Sequence, residues 1–227
     1  MRKIQTVLIS FVLLVFFYPT AAFANAPLVL LDPGHGGVDG GAGRGHRLEK
    51  NINLDMGIRT REWLEKYGYS VKMTRESDVD LSNRYPSTIE SRHRRDLQNR
   101  LNVLREVQPA LLISLHVNSS TNAADKGPII FYATSSEPSK AFAHIVQEEV
   151  NRVAVSTQRP VGRKNLFLIR HSPCPAVLVE FGFVTNHVDA KRLMDFAYRD
   201  KMAHALADAV KRQLQTQPSQ SEEATRT

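Results

Sequence analysis

Two histidines and one glutamate in this chain stand where short apolar runs give out. His35 follows PLVLL, residues 27–31, inside the stretch LLDPGHGGVDGGAG, residues 30–43, where six glycines surround it. His116 closes LLISLHVN and Glu180 closes AVLVEFGF. Continuous apolar runs of this length read as strands buried on both sides. In open α/β sheets, ligands gather at the carboxyl ends of such strands. Three strands ending in His, His and Glu would bring imidazoles and a carboxylate to one edge of a sheet. A carboxylate in so apolar a setting is costly unless it is paired or bound to a cation. Glu180 therefore calls for a partner, and metal binding or acid–base chemistry is the expected use.

The glycine-rich stretch invites a phosphate-binding reading, which its spacing excludes. Counted from Gly34 and Gly36, a dinucleotide fingerprint needs a third glycine where Asp39 stands, and a Walker motif needs Gly-Lys-Ser/Thr where the chain has Gly-Gly-Val. What is left is a tight, glycine-permitted turn that carries His35 close to something. The other six histidines, His46, His93, His144, His171, His187 and His204, lie in loop or helix contexts. They read as surface or packing residues.

The elements that must position these groups follow from periodicity. After the strand at 27–31, Glu49 to Tyr67 carries Ile52, Met56 and Trp63 at helical spacing and stops at Gly68. Strands are expected over 69–74, 110–118, 127–132, 165–169 and 176–181. Helices are expected over 89–107, from Pro138 through Val153, and over 189–214. This alternation predicts an α/β fold: a single domain over 27–214 with a mostly parallel twisted sheet flanked by helices, and a metal site at the carboxyl ends of its strands. The tail 215–227 is polar, without apolar period, and is expected to be disordered.

Residues 1–26 read as an export signal: Arg2 and Lys3, an apolar core over 7–18, then Ala22, Ala24 and Ala26 at small-x-small spacing. An uncleaved membrane anchor is the alternative, although the core is short of the roughly 20 residues of a span. Either way the folded part is expected to lie outside the cytoplasm. Cys174 is the only cysteine, so no internal disulfide can form. Its flanking prolines mark a loop thiol without an activating neighbour. The formal net charge of +7 suits anionic wall polymers or lipid headgroups rather than nucleic acid, for which no motif is present. The densest basic cluster, SRHRRDLQNR over 91–100, reads as the solvated face of a helix whose apolar stripe is Leu97, Leu101 and Leu104.

Taken in order, LDPGHGGVDGGA, EKNINL, SLHVN and PAVLVEFGFVTN resemble the zinc-dependent N-acetylmuramoyl-L-alanine amidases of the type 3 family, over about residues 28–212. The resemblance implies that His35, Glu49 and His116 hold one zinc ion per chain and that Glu180 is the catalytic carboxylate. It also implies substrate-facing roles for Arg170, before the last strand, and for Asn118 of the H-x-N triplet. Three ligands with a place left for water is the catalytic zinc pattern. The reaction implied is hydrolysis of the amide joining the lactyl group of N-acetylmuramic acid to L-alanine in peptidoglycan. His187-Val188-Asp189 stands where the family more usually has Pro-x-Glu, a departure at a helix entry.

Within the family, MTRESDVDL and the basic helix resemble the sporulation and germination subgroup, which acts on spore cortex and prepares muramic lactam. That implies a functional link to a peptidoglycan deacetylase and leaves open an activator or zinc-loading protein. Three alternatives stand beside this reading: another zinc hydrolase of the wall (a peptidase or a deacetylase), a non-haem iron oxygenase using the same donor types, and a non-catalytic peptidoglycan-binding module.

Overall fold

A computed structural model describes residues 26–43 and 48–216 of the chain. The expected export segment lies outside these residues apart from Ala26, and so does the expected tail apart from residues 215–216, which complete the last helix. Among the described residues no helix is long and apolar enough to cross a membrane.

The apolar runs form the inner strands. β1 (Leu28–Pro33), β3 (Leu111–Asn118) and β6 (Ala176–Phe183) lie side by side and parallel at the centre of a six-stranded sheet. β2 (Ser70–Met73) pairs parallel with β1 on one side. On the other, β4 (Ile129–Ala133) pairs antiparallel with β6, and β5 (Val161–Arg163) runs parallel with β4, giving the order β2-β1-β3-β6-β4-β5. The sheet is thus mixed, and parallel except for the β4–β6 pairing.

Because side chains alternate across a strand, each central run feeds two cores. Val29, Leu31, Ile113, Leu115, Val117, Val177, Val179 and Phe181 face α1 (Glu49–Lys66), α3 (Glu137–Ala154) and α6 (Phe196–Thr216). Leu30, Leu112 and Leu178 face α2 (Arg92–Val107) and the short α4 (Phe167–Arg170). Covering both faces is what lets these strands be continuously apolar.

Four expectations need correction. The run at 165–169 is not a strand: Arg170 and His171 donate their amides to the carbonyls of Leu166 and Phe167, closing the turn of α4, while the strand falls earlier, at β5. A short apolar run is compatible with either state. The last helix is two, α5 (His187–Met194) and α6, because Asp195 is extended and its carboxylate accepts from the Tyr198 amide, capping a new start. α2 begins at Arg92 rather than at residue 89, since the Ser91 hydroxyl accepts from the Arg94 amide and caps the helix there. Nor is the 91–100 cluster simply solvated: Asp96, Asn99 and Arg100 are buried, with Arg100 bonded to Asp32 and Asn99 to the Leu81 carbonyl.

Candidate metal centre and cleft

His35 sits on the turn after β1, Glu49 is the first residue of α1, and His116 lies on β3. One ligand atom from each falls within 4.8 Å of the other two. The Glu49 carboxylate is the hub and is only 4% exposed. Its Oε1 lies 3.1 Å from His35 Nε2 and 2.9 Å from His116 Nδ1, and it accepts from the Val117 amide at 3.1 Å; Oε2 accepts from the Ala42 amide at 2.8 Å. Burial works against its ionisation, but the two imidazoles outweigh it and hold the carboxyl far below the usual range. For His35, burial opposes the charged form, but Glu49 and Asp39 prevail and raise the imidazole to about 9. The two rings meet edge to face with centroids 5.2 Å apart.

Close approach of the backbone makes this possible. His35 itself is left-handed, with φ 61°, a conformation sparsely used by residues with a side chain. A Cβ on Gly34 would overlap the His116 ring, and one on Gly41, at φ 65°, would meet Glu49 and His35.

Two buried arginines fix the turn from behind. Arg100 donates to Asp32 Oδ1 at 2.7 Å, to the Pro33 carbonyl at 2.9 Å and to the His35 carbonyl at 2.7 Å. Arg75 donates to the Pro33 and Gly34 carbonyls, both at 2.9 Å, and to that of Lys50 at 2.8 Å. Asn53 links the Gly34 carbonyl to Glu49. Sequence reasoning missed Asp32, Asn53, Arg75 and Arg100. The signal for Asp32 was available, since a carboxylate ending an apolar strand asks for a cation just as Glu180 does. Arg100 answers it from the buried face of α2, with Asp96 bonding its Nε at 2.8 Å.

Glu180 is the register partner of His116 on the neighbouring strand. Its Oε2 is buried without a hydrogen-bond partner. Burial pushes the carboxyl up to about 7; the nearby Glu49 charge adds to the rise, and His116 and His35 oppose it. An orphaned buried oxygen beside two imidazoles and a carboxylate suits a site meant to receive something.

The cleft beside the histidines has a volume of about 240 Å³. One wall is a helical stripe of α2, with His93, Asp96, Leu97 and Arg100, and the other is α4 with its approach, residues 165–169. Asn118 and Arg170 are not among the residues lining this cleft. The Asn118 side chain accepts from the following amide, that of Ser119, at 2.8 Å. Arg170 is exposed and lines a separate depression.

The fold and the site together define a mixed α/β sheet protein with a candidate metal centre, its histidines at the carboxyl ends of β1 and β3 and its glutamate at the start of α1. Residues 29–212 match the N-acetylmuramoyl-L-alanine amidase family, and the chain belongs to it. Among its relatives is the germination-specific N-acetylmuramoyl-L-alanine amidase of Bacillus subtilis, 31% identical over 217 residues, covering 90% of this chain and 92% of that protein. The CwlD amidase from Clostridioides difficile, solved in complex with the GerS lipoprotein, superposes with a TM-score of 0.78 at 30% identity, over 84% of this chain and all of that one. The catalytic domain of CwlV from Bacillus (Paenibacillus) polymyxa superposes at 0.70 and 28% identity, over 84% of this chain and 99% of that one.

Proposed function

We propose that the protein is a zinc amidase of spore-cortex peptidoglycan, in which His35, Glu49 and His116 hold the ion and Glu180 is the catalytic carboxylate. The observation that carries this reading is the meeting of those three donors beside a carboxylate with an unpartnered oxygen. The donor set fits the metal: two imidazoles and one carboxylate converge, and Glu49 is already held as an anion. Zinc bound there supplies a Lewis acid for an amide carbonyl and lowers the pKa of water from about 15.7 to about 7.

The chain's own residues do the rest. Glu180, with a carboxyl poised at about 7, takes the proton of the attacking water and returns it to the departing alanine nitrogen. Asp32, Arg75 and Arg100 keep the His35 turn in place. The apolar walls of the cleft exclude bulk water around the amide. Asn118 ends β3 outside the cleft lining with its Oδ1 accepting from the Ser119 amide, and its proposed substrate-facing role is carried by the family resemblance alone. Arg170 lines a separate depression, and its proposed substrate-facing role is likewise carried by the family resemblance.

Kinship with a germination-specific amidase and with one crystallised with a lipoprotein supports a cortex role, action on the outer side of the membrane, and a protein partner that activates or loads the enzyme. A peptidoglycan deacetylase that uses the exposed muramic acid is the expected next enzyme. The test is to incubate the zinc-loaded mature protein with purified peptidoglycan and analyse the soluble products by mass. Free stem peptides beginning with L-alanine are expected. Other new N-termini, or released acetate, would replace this reading with a peptidase or deacetylase, and iron as the bound metal would point to oxygenase chemistry.

A further inference from the structure

His35 has two ring nitrogens, and only one of them faces the other donors. Its Nε2 lies 3.1 Å from Glu49 Oε1, so Nε2 is the ligand atom and Nδ1 points away from the metal centre. A neutral imidazole carries one N–H and one lone pair, so Nε2 can give its lone pair only while Nδ1 keeps the proton. Nδ1 is buried, and among the described residues no aligned hydrogen bond reaches it. Asp39 Oδ2 stands 3.0 Å away, off the line of an ideal bond. A small rotation of the ring or of the carboxylate brings donor and acceptor into line.

The chain holds Asp39 at that spot. Gly36 and Asp39 exchange amide-to-carbonyl bonds, both of 3.0 Å, which fold the backbone of Asp39 back beside His35. Asp39 Oδ1 accepts from the Gly41 amide at 3.1 Å, which leaves Oδ2 for the imidazole. Behind the carboxylate stands Arg92, the first residue of α2. Its Nη2 lies 3.8 Å from Asp39 Oδ2 and its Nη1 3.4 Å from Asp80 Oδ2. A cation at the start of a helix opposes the helix dipole. Helix stability therefore does not account for Arg92, whereas its place between two carboxylates does.

We propose that Asp39 is the positioning residue of the first metal ligand: it accepts the Nδ1 proton of His35 and so presents Nε2 to the ion, while Arg92 holds the Asp39 carboxylate in place. This rests on the metal reading above and deepens it, because it makes the first residue of α2 a determinant of metal affinity. The turn does not need the Asp39 side chain for its shape. Arg75 and Arg100 grip the carbonyls of residues 33–35, and Asp78 and Lys50 hold the amide and carbonyl of Gly37. Removing the carboxylate thus loosens the ring rather than the loop.

The test measures zinc Kd by competition with a chromophoric chelator in the wild type, D39A, R92A and D39A/R92A. D39A is expected to bind about 10- to 100-fold more weakly, the range for lost partners of ligating histidines. R92A is expected to bind about two- to fivefold more weakly. The double variant should bind no more weakly than D39A, since Arg92 acts through Asp39. Nitrogen-15 NMR of the zinc-loaded protein with labelled histidine supplies a readout that a merely structural role would not move. The His35 Nδ1 proton is expected to be observable in the wild type and lost to solvent exchange in D39A. Urea melts of the zinc-free proteins report folding; if D39A fails to fold, the isosteric D39N takes its place, with zinc Kd expected to weaken about three- to tenfold. Wild-type zinc affinity in the Asp39 variant, or a protected Nδ1 proton that survives in it, would overturn the proposal. Additive losses in the double variant would remove Arg92 from it. A wild type that binds no zinc would sink the metal reading itself, an outcome distinct from a wild type and variant that bind zinc equally well.

Discussion

Asp32 and Glu180 are both carboxylates rooted in apolar strands, and their surroundings send them in opposite directions. Burial raises the proton affinity of Asp32, but the Arg100 guanidinium and hydrogen bonds from Thr74 and Ser114 prevail and hold it below the ordinary aspartate value. Its contribution to stability is therefore complete above about pH 4 and disappears as pH falls through the lowered native value. Asp32→Asn is expected to lower stability by about 3 kcal/mol at neutral pH by leaving Arg100 with Asp96 as its one buried carboxylate partner, and to flatten the loss of Tm between pH 5 and pH 3. Thermal melts across that range read both effects. Glu180 has no such cation and no bonded Oε2. Glu180→Gln is expected to keep the metal, measured by elemental analysis, and to lose amide hydrolysis by 100-fold or more, on the order of a missing general base. His35→Ala should lose both, and a fully active Glu180→Gln protein would remove Glu180 from the mechanism.

At the scale of elements, caps decide where helices begin. Asp195 separates α5 from α6 by accepting from the Tyr198 amide at 3.1 Å. Asp195→Ala should cost about 1 kcal/mol, visible as a shift of the urea midpoint with an unchanged slope. This cap escaped the sequence reading because alanines, leucine and methionine carry an apolar pattern on both sides of it. The central strands were legible because burial on both faces leaves runs with no polar alternation, as in β1, β3 and β6. His35, His116 and Glu180 were legible for the same reason, since each interrupts such a run. Glu49 was reached only through family resemblance: it opens a helix amid polar residues, and nothing local sets it apart from Glu62 or Glu65. Arg100 was misread with its neighbours because charge density along a helix does not say which face is buried.

For the molecule as a whole, a single cysteine rules out an internal disulfide, and the candidate metal centre is where distant segments could be cross-linked. A cation gripped by His35, Glu49 and His116 would tie the turn after β1 to α1 and β3. Zinc at about 100 times its Kd should stabilise the protein by about 2.7 kcal/mol, a rise in Tm of roughly 5–10 °C for a domain of this size. Scanning calorimetry with zinc and then with excess chelator checks this. The shift should persist in Glu180→Gln and vanish in His35→Ala.

The sheet's two outer strands are its shortest: β2 has four residues and β5 three. Each also bears a cation, Lys72 on one margin and Arg163 on the other. Brief, like-charged borders give an incoming chain little backbone to zip onto and repel a second copy approaching edge-on. An enzyme crowded onto an insoluble polymer can thus accumulate at high local density without seeding fibrils.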